Sequence, residues 1–230
     1  MGKALRGGAA LAAALLAGCA RPAPGPPPAE LLDPARLRRE TLETLEALER
    51  GFYTHWGAVE RTREFARLTP RHAPELRRVA EANVPASLMA LRVLDRLAPP
   101  GESFGAEARA ILYVSALERE TNFARWGAPA PDGILPGIYG QELIALGGAA
   151  APHLRRLLAD RRRAPVRGAG SADRRNALRG DRVCDYAWLF LAAILGKPVV
   201  YEDDPDLRDA RIRAFDLELD RAARGLRPAR

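Results

Sequence analysis

Two thiols, three imidazoles and one glutamate in an unusual setting are where chemistry would first be sought in this 230-residue chain. His55, His72 and His153 stand far apart, and none falls in the His-x-x-x-His or Glu-x-x-His spacing that gathers ligands on one helix face. The sequence therefore predicts no metal site and no cofactor. It also holds no glycine-rich phosphate cradle and no Gly-x-Ser-x-Gly elbow. Cys184 lies among Val183, Tyr186, Trp188 and Leu189 and is expected to pack as a small apolar residue. Glu120 closes an apolar run and is followed by Thr121 and then, at the third position, Phe123; a carboxyl at such a helix end could exchange a proton with a bound substrate. Cys19 has the most specific setting. Ahead of it come Lys3 and Arg6, then a run from Ala9 to Ala17 built only of alanine and leucine, then Gly18. That run is too short to span a bilayer and has the length of the apolar core of an export signal.

Leu16-Ala17-Gly18-Cys19 resembles, position by position, the lipobox of bacterial lipoproteins. The resemblance implies that the Cys19 thiol is alkylated with diacylglycerol, that residues 1–18 are removed as a signal peptide, and that the freed amino group is acylated. Palmitate-type chains then hold the protein to a membrane at about 0.8 kcal/mol per buried CH₂. The implied address is the cell envelope, and Ala20 in place of aspartate after the lipidated residue favours the outer membrane. Residues 19–30 form a tether: Pro22, Pro24, Pro26, Pro27 and Pro28 predict an extended spacer of about 3 Å per residue. With Cys19 lipidated, Cys184 has no partner within the chain, so the fold rests on packing rather than on a disulfide.

The elements behind these residues read as helices. Asp33-Pro34, Thr69-Pro70 and Asp204-Pro205 each put a capping oxygen before a proline at the first helical position. Leu37, Thr41, Leu45 and Leu48 mark an amphipathic first helix. Phe52, Trp56 and Val59 continue its stripe past a break at Gly51 towards Leu68. Further helices are expected over 70–82, 85–97 and 105–123. No segment alternates at period two, and Val199-Val200 make an isolated extended piece at most. The predicted fold is all-α, an antiparallel helical array or irregular bundle over 31–226, either whole or as sub-bundles 31–127 and 137–226.

In the second half, a helix closed by Gly147 precedes Ala150, Pro152, Leu154, Leu157, Leu158 and Asp160. Asp181, Val183 and Ala187 then open a helix that closes at Leu195-Gly196. This pattern resembles one HEAT-like repeat, which implies antiparallel helices stacked into a curved layer that binds macromolecules. Two departures stand in it: an insertion separates the paired helices, and Cys184 replaces the usual arginine. From Arg155 to Arg182 ten arginines face three aspartates, an excess equal to the +7 of the whole chain. Arg161, Arg162, Arg163, Arg167, Arg174 and Arg175 are the candidate contacts to an anionic lipid, lipopolysaccharide phosphate or acidic protein, on what reads as an exposed mobile loop. Nucleic acid is a poor candidate, since no aromatic residues interleave for base stacking.

The functional expectation is a membrane-anchored, non-enzymatic helical scaffold or binding module, its partner a protein or other envelope component. The alternative starts from Glu120-Thr121-Asn122-Phe123, which resembles the catalytic Glu-Ser-x-Phe corner of lytic transglycosylases. It implies a peptidoglycan-active enzyme with Glu120 as general acid and base. The Gly-Leu-Met-Gln stretch of that family is absent, with Gly133-Ile134-Leu135-Pro136-Gly137 in its place.

Overall fold

Thr41, Leu45 and Leu48 fall on one side of the first helix and are buried there, which is what three- and four-residue spacing dictates. The computed structural model describes residues 34–52, 58–82, 84–98, 103–122, 125–166 and 171–224. The signal peptide, Cys19, the tether, Asp33, His55, Trp56, Phe123 and Arg167 lie outside the described residues. Helix α1 (Pro34–Arg50) satisfies its buried hydroxyls internally: Thr41 donates to the Leu37 carbonyl at 2.8 Å and Thr44 to that of Glu40 at 2.7 Å. The helix breaks at Gly51, as expected.

The second segment differs from its predicted helix. Over residues 58–68 it makes two single 3-10 turns, Val59–Arg61 and Phe65–Arg67. Thr62 sits between them, its hydroxyl donating to the Val59 carbonyl and accepting from the Phe65 amide. A side chain that bonds its own backbone in this way competes with the helical ladder.

Thr69-Pro70 opens a 3-10 turn whose His72 Nδ1 accepts from the Thr69 amide at 3.0 Å, and the turn runs into α2 (Ala73–Glu81). Ser87 ties α2 to α3 (Ser87–Leu97), accepting from the Val84 amide and donating to the Val79 carbonyl. Helix α4 (Ala106–Arg119) stops short of Phe123 because Glu120 is extended, at φ −156 and ψ 146.

An antiparallel hairpin follows, β1 (Gly127–Ala130) with β2 (Gly133–Pro136), Gly127 facing Pro136 and Ala130 facing Gly133. It corrects the expectation of no strands. Gly127 begins it at φ 98, and a Cβ there would lie 1.9 Å from the Leu135 carbonyl oxygen. Only glycine fits.

Helices α5 (Ile138–Ala145), α6 (Ala151–Leu157), α7 (Ser171–Arg179), α8 (Val183–Leu195) and α9 (Pro205–Ala223) complete the chain. Helix α8 is the axis of this half. Every residue from Val183 to Ala192 is buried, and it packs on α5, α6, α9 and β2. The acid that caps it is Asp185, which reaches back to the Arg182 amide at 2.9 Å, rather than the expected Asp181. Asp204 does cap α9, accepting from the Asp206 amide at 2.8 Å. Residues 199–201 form no strand, although Val199 and Tyr201 are buried and Val200 is exposed.

The architecture is mainly α, and one core joins residues from Leu45 to Phe215. At its centre Phe52, Tyr113, Trp126, Tyr139 and Phe190 meet edge to face at centroid distances of 5.5 to 6.4 Å, the geometry that aromatic quadrupoles favour.

Candidate functional site

Glu120 ends α4 against this aromatic cluster, and its carboxylate meets Arg125 Nη1 at 2.8 Å. The other arm of the same guanidinium, Nη2, lies 2.5 Å from Glu49 of α1. Arg125 also covers the Phe52 ring, 4.9 Å from its centroid. Its backbone is fixed as well, since its carbonyl accepts from the Tyr139 and Gly140 amides at the start of α5. One arginine thus joins α1, α4 and α5. All three ionisable side chains of the cluster are less than one-fifth exposed.

Burial pushes Glu49 up to about 7, with Arg125 opposing the rise and the neighbouring Glu120 charge adding to it. Burial would depress Arg125, but the neighbouring Glu49 and Glu120 carboxylates hold it charged above its usual range. Burial raises the Tyr139 phenol as well, so it remains a hydroxyl donor. Among the described residues, Glu49 Oε1, the Tyr139 hydroxyl and Trp126 Nε1 are buried without a hydrogen-bond partner. Beside them lies a cavity of about 30 Å³ lined by Pro85, Leu88, Ala116, Arg119, Glu120 and Tyr139. That is room for a water molecule and not for a sugar ring. Next to it, Glu142 accepts from both Arg92 and Tyr113, and Arg92 lies over the Tyr139 ring.

Part of the basic stretch is helical rather than a loop. Residues 171–179 are helical, Ala164 is buried, and Val166 bridges to Thr121 while Arg163 bridges to Arg182. Arg161 faces Asp209 at 3.4 Å, Arg162 grips Asp160 with two nitrogens, and Arg163 donates to the Ala177 carbonyl at 2.6 Å. Arg174 is exposed on α7, and Arg175 belongs to the same helix. Arg163, Val166, Arg174 and the largely exposed Leu178 line a groove of about 540 Å³.

A second ionic cluster locks α9. Arg208 is wholly buried, with Nε 3.3 Å from Asp185 and Nη1 3.8 Å from Asp181, and its guanidinium lies 5.2 Å from the Tyr201 ring centroid. Tyr201 donates to Asp181 at 2.7 Å, and Arg179 reaches the same carboxylate at 3.1 Å. Cys184 is buried beside Asp185, and burial raises its thiol above the usual range, so it is no ready nucleophile. His72 is buried against Thr69, and His153 meets Glu107 at 2.6 Å.

Among the described residues that the sequence singled out, Glu120 stands in a polar cluster at the centre of the molecule. Its partners Glu49, Arg125 and Tyr139 escaped sequence reasoning. The signal for Glu49 was its place four residues after the buried Leu45, on the packing side of α1. Comparison with family models, curated proteins and solved structures returns no match.

Proposed function

We propose that the chain is an envelope lipoprotein, fastened through Cys19 to a membrane, most simply the outer membrane, whose helical domain works as a non-enzymatic scaffold or binding module. The observation that carries the non-enzymatic part is the closed state of the Glu49–Arg125–Glu120 cluster. Both carboxylates are held by one guanidinium, and the adjoining cavity lined by described residues has room for a water molecule. The HEAT-like reading is supported by α5 and α6 packing on α8, in the order glycine-closed helix, proline-started helix, buried helix. A binding face fits the groove between residues 163–166 and α7, whose lining includes Arg163, Arg174, the exposed Leu178 and, at its buried side, Asp181. That combination suits an anionic amphiphile of the envelope.

The alternative, Glu120 as general acid and base of a peptidoglycan-cleaving enzyme, is favoured by one observation. Burial puts Glu49, the carboxyl that shares Arg125 with Glu120, at about 7, where proton exchange near neutrality is efficient. Two experiments separate the readings. Metabolic labelling with palmitate should mark the wild-type chain and not Cys19→Ser, and an unlabelled wild-type chain removes the anchor. The purified domain should leave peptidoglycan intact in a zymogram. Clearing that is lost in Glu120→Gln would establish the enzyme instead.

A further inference from the structure

Helix α9 turns two different faces outward and inward. Arg208, Ile212 and Phe215 are buried, and Leu219 packs partly against the core. On the opposite side Leu207, Ala210, Ala214 and Leu217 recur at alternating three- and four-residue steps. All four are exposed, Leu207 by 50% and Leu217 by 57%. This spacing matches the a and d positions of a coiled-coil seam. The two alanines let a facing helix approach closely, and the two leucines end the stripe as larger knobs.

Beside the stripe, the flanking positions carry Asp206 and Arg213 on one edge and Arg211 and Glu218 on the other. All four are exposed. In a parallel, in-register pair, Asp206 of one copy stands opposite Arg211 of the other, and Arg213 opposite Glu218. Two-fold symmetry makes each attraction twice. Turned antiparallel, the same helix would set Arg211 against Arg211, Arg213 against Arg213 and Asp206 against Asp220. The charges thus select both the occupant and its direction.

We propose that α9 is a homodimerisation surface, pairing parallel and in register with α9 of a second copy through Leu207, Ala210, Ala214 and Leu217. Within each chain Arg211 meets Glu202 at 3.3 Å and Glu218 meets Lys197, so the contacts between copies extend existing ion pairs into short networks. The pairing is independent of the proposed membrane anchor, because every residue in it belongs to the helical domain.

The test is cysteine cross-linking in the full chain under mild oxidation. In a Cys19→Ser background, an Ala210→Cys chain should form a disulfide-linked dimer faster, by about tenfold, than either the Cys19→Ser chain itself, where Cys184 is buried, or Ala222→Cys, exposed off the stripe. In sedimentation, Arg213→Glu should weaken self-association about tenfold and Arg213→Glu with Glu218→Arg should restore it. Circular dichroism should be unchanged throughout, since these side chains face solvent. Cross-linking of Ala210→Cys no faster than Ala222→Cys would overturn the proposal. So would preferential cross-linking of Ala210→Cys to Ala214→Cys in a mixture, which marks the antiparallel arrangement, or an unaltered chain that stays monomeric at high micromolar concentration.

Discussion

A guanidinium between two carboxylates is stable as a unit and poor in parts. Replacing Arg125 by methionine leaves Glu49 and Glu120 near one another without their shared cation, and breaking a buried pair in this way costs about 3–5 kcal/mol. Urea denaturation of Arg125→Met should register a loss of that size, and adding Glu49→Gln should recover part of it. Glu49 also makes stability depend on pH. Its folded pKa of about 7 lies above the ordinary 4.5, so the folded state holds the proton more tightly than the unfolded chain does. Its contribution is therefore full below about pH 4.5 and is lost as pH rises through 7, by at most about 3 kcal/mol. Unfolding free energies measured from pH 4.5 to 8 should decline along this course in the wild-type chain and decline less in Glu49→Gln.

At the scale of elements, the hairpin stands on Gly127. A side chain there meets both a positive φ and the Leu135 oxygen, so Gly127→Ala should lower stability by several kcal/mol, read as a fall in the thermal midpoint of more than about 5 °C. The cap of α9 is a milder case: Asp204→Ala should cost about 1 kcal/mol. Both elements bear on what could be read beforehand. The helices announced themselves through proline starts and apolar stripes, because capping and burial act within a few residues of sequence. The hairpin did not, because Pro129 and Pro136 sit in its strands where β-branched residues would be sought; its readable signal was Pro131-Asp132-Gly133 at the turn. Thr62 was equally quiet, a single hydroxyl that turns an apparent helix into two short turns. The cluster around Glu120 draws on α1, α4, α5 and residue 125, and no local pattern in the sequence reports a meeting of segments so far apart.

Taken whole, the molecule has one core running from α1 to α9, with the aromatic cluster bridging its halves. Cooperative unfolding follows. Tryptophan fluorescence and helical ellipticity should change together along a denaturant titration, and two separated transitions would divide the core. The Arg208 cluster adds a constraint on how such a chain comes to be folded. Asp181 and Asp185 lie at the buried entrance to α8, while the cation set deepest between them belongs to α9. A chain still being made on the ribosome holds both acids before it has that arginine. Arg179 and Arg182 already pair with these acids, but the wholly buried cation joins them only once α9 has been made, so chains truncated before Arg208 should be more open to protease around Asp181 and Asp185 than the full chain.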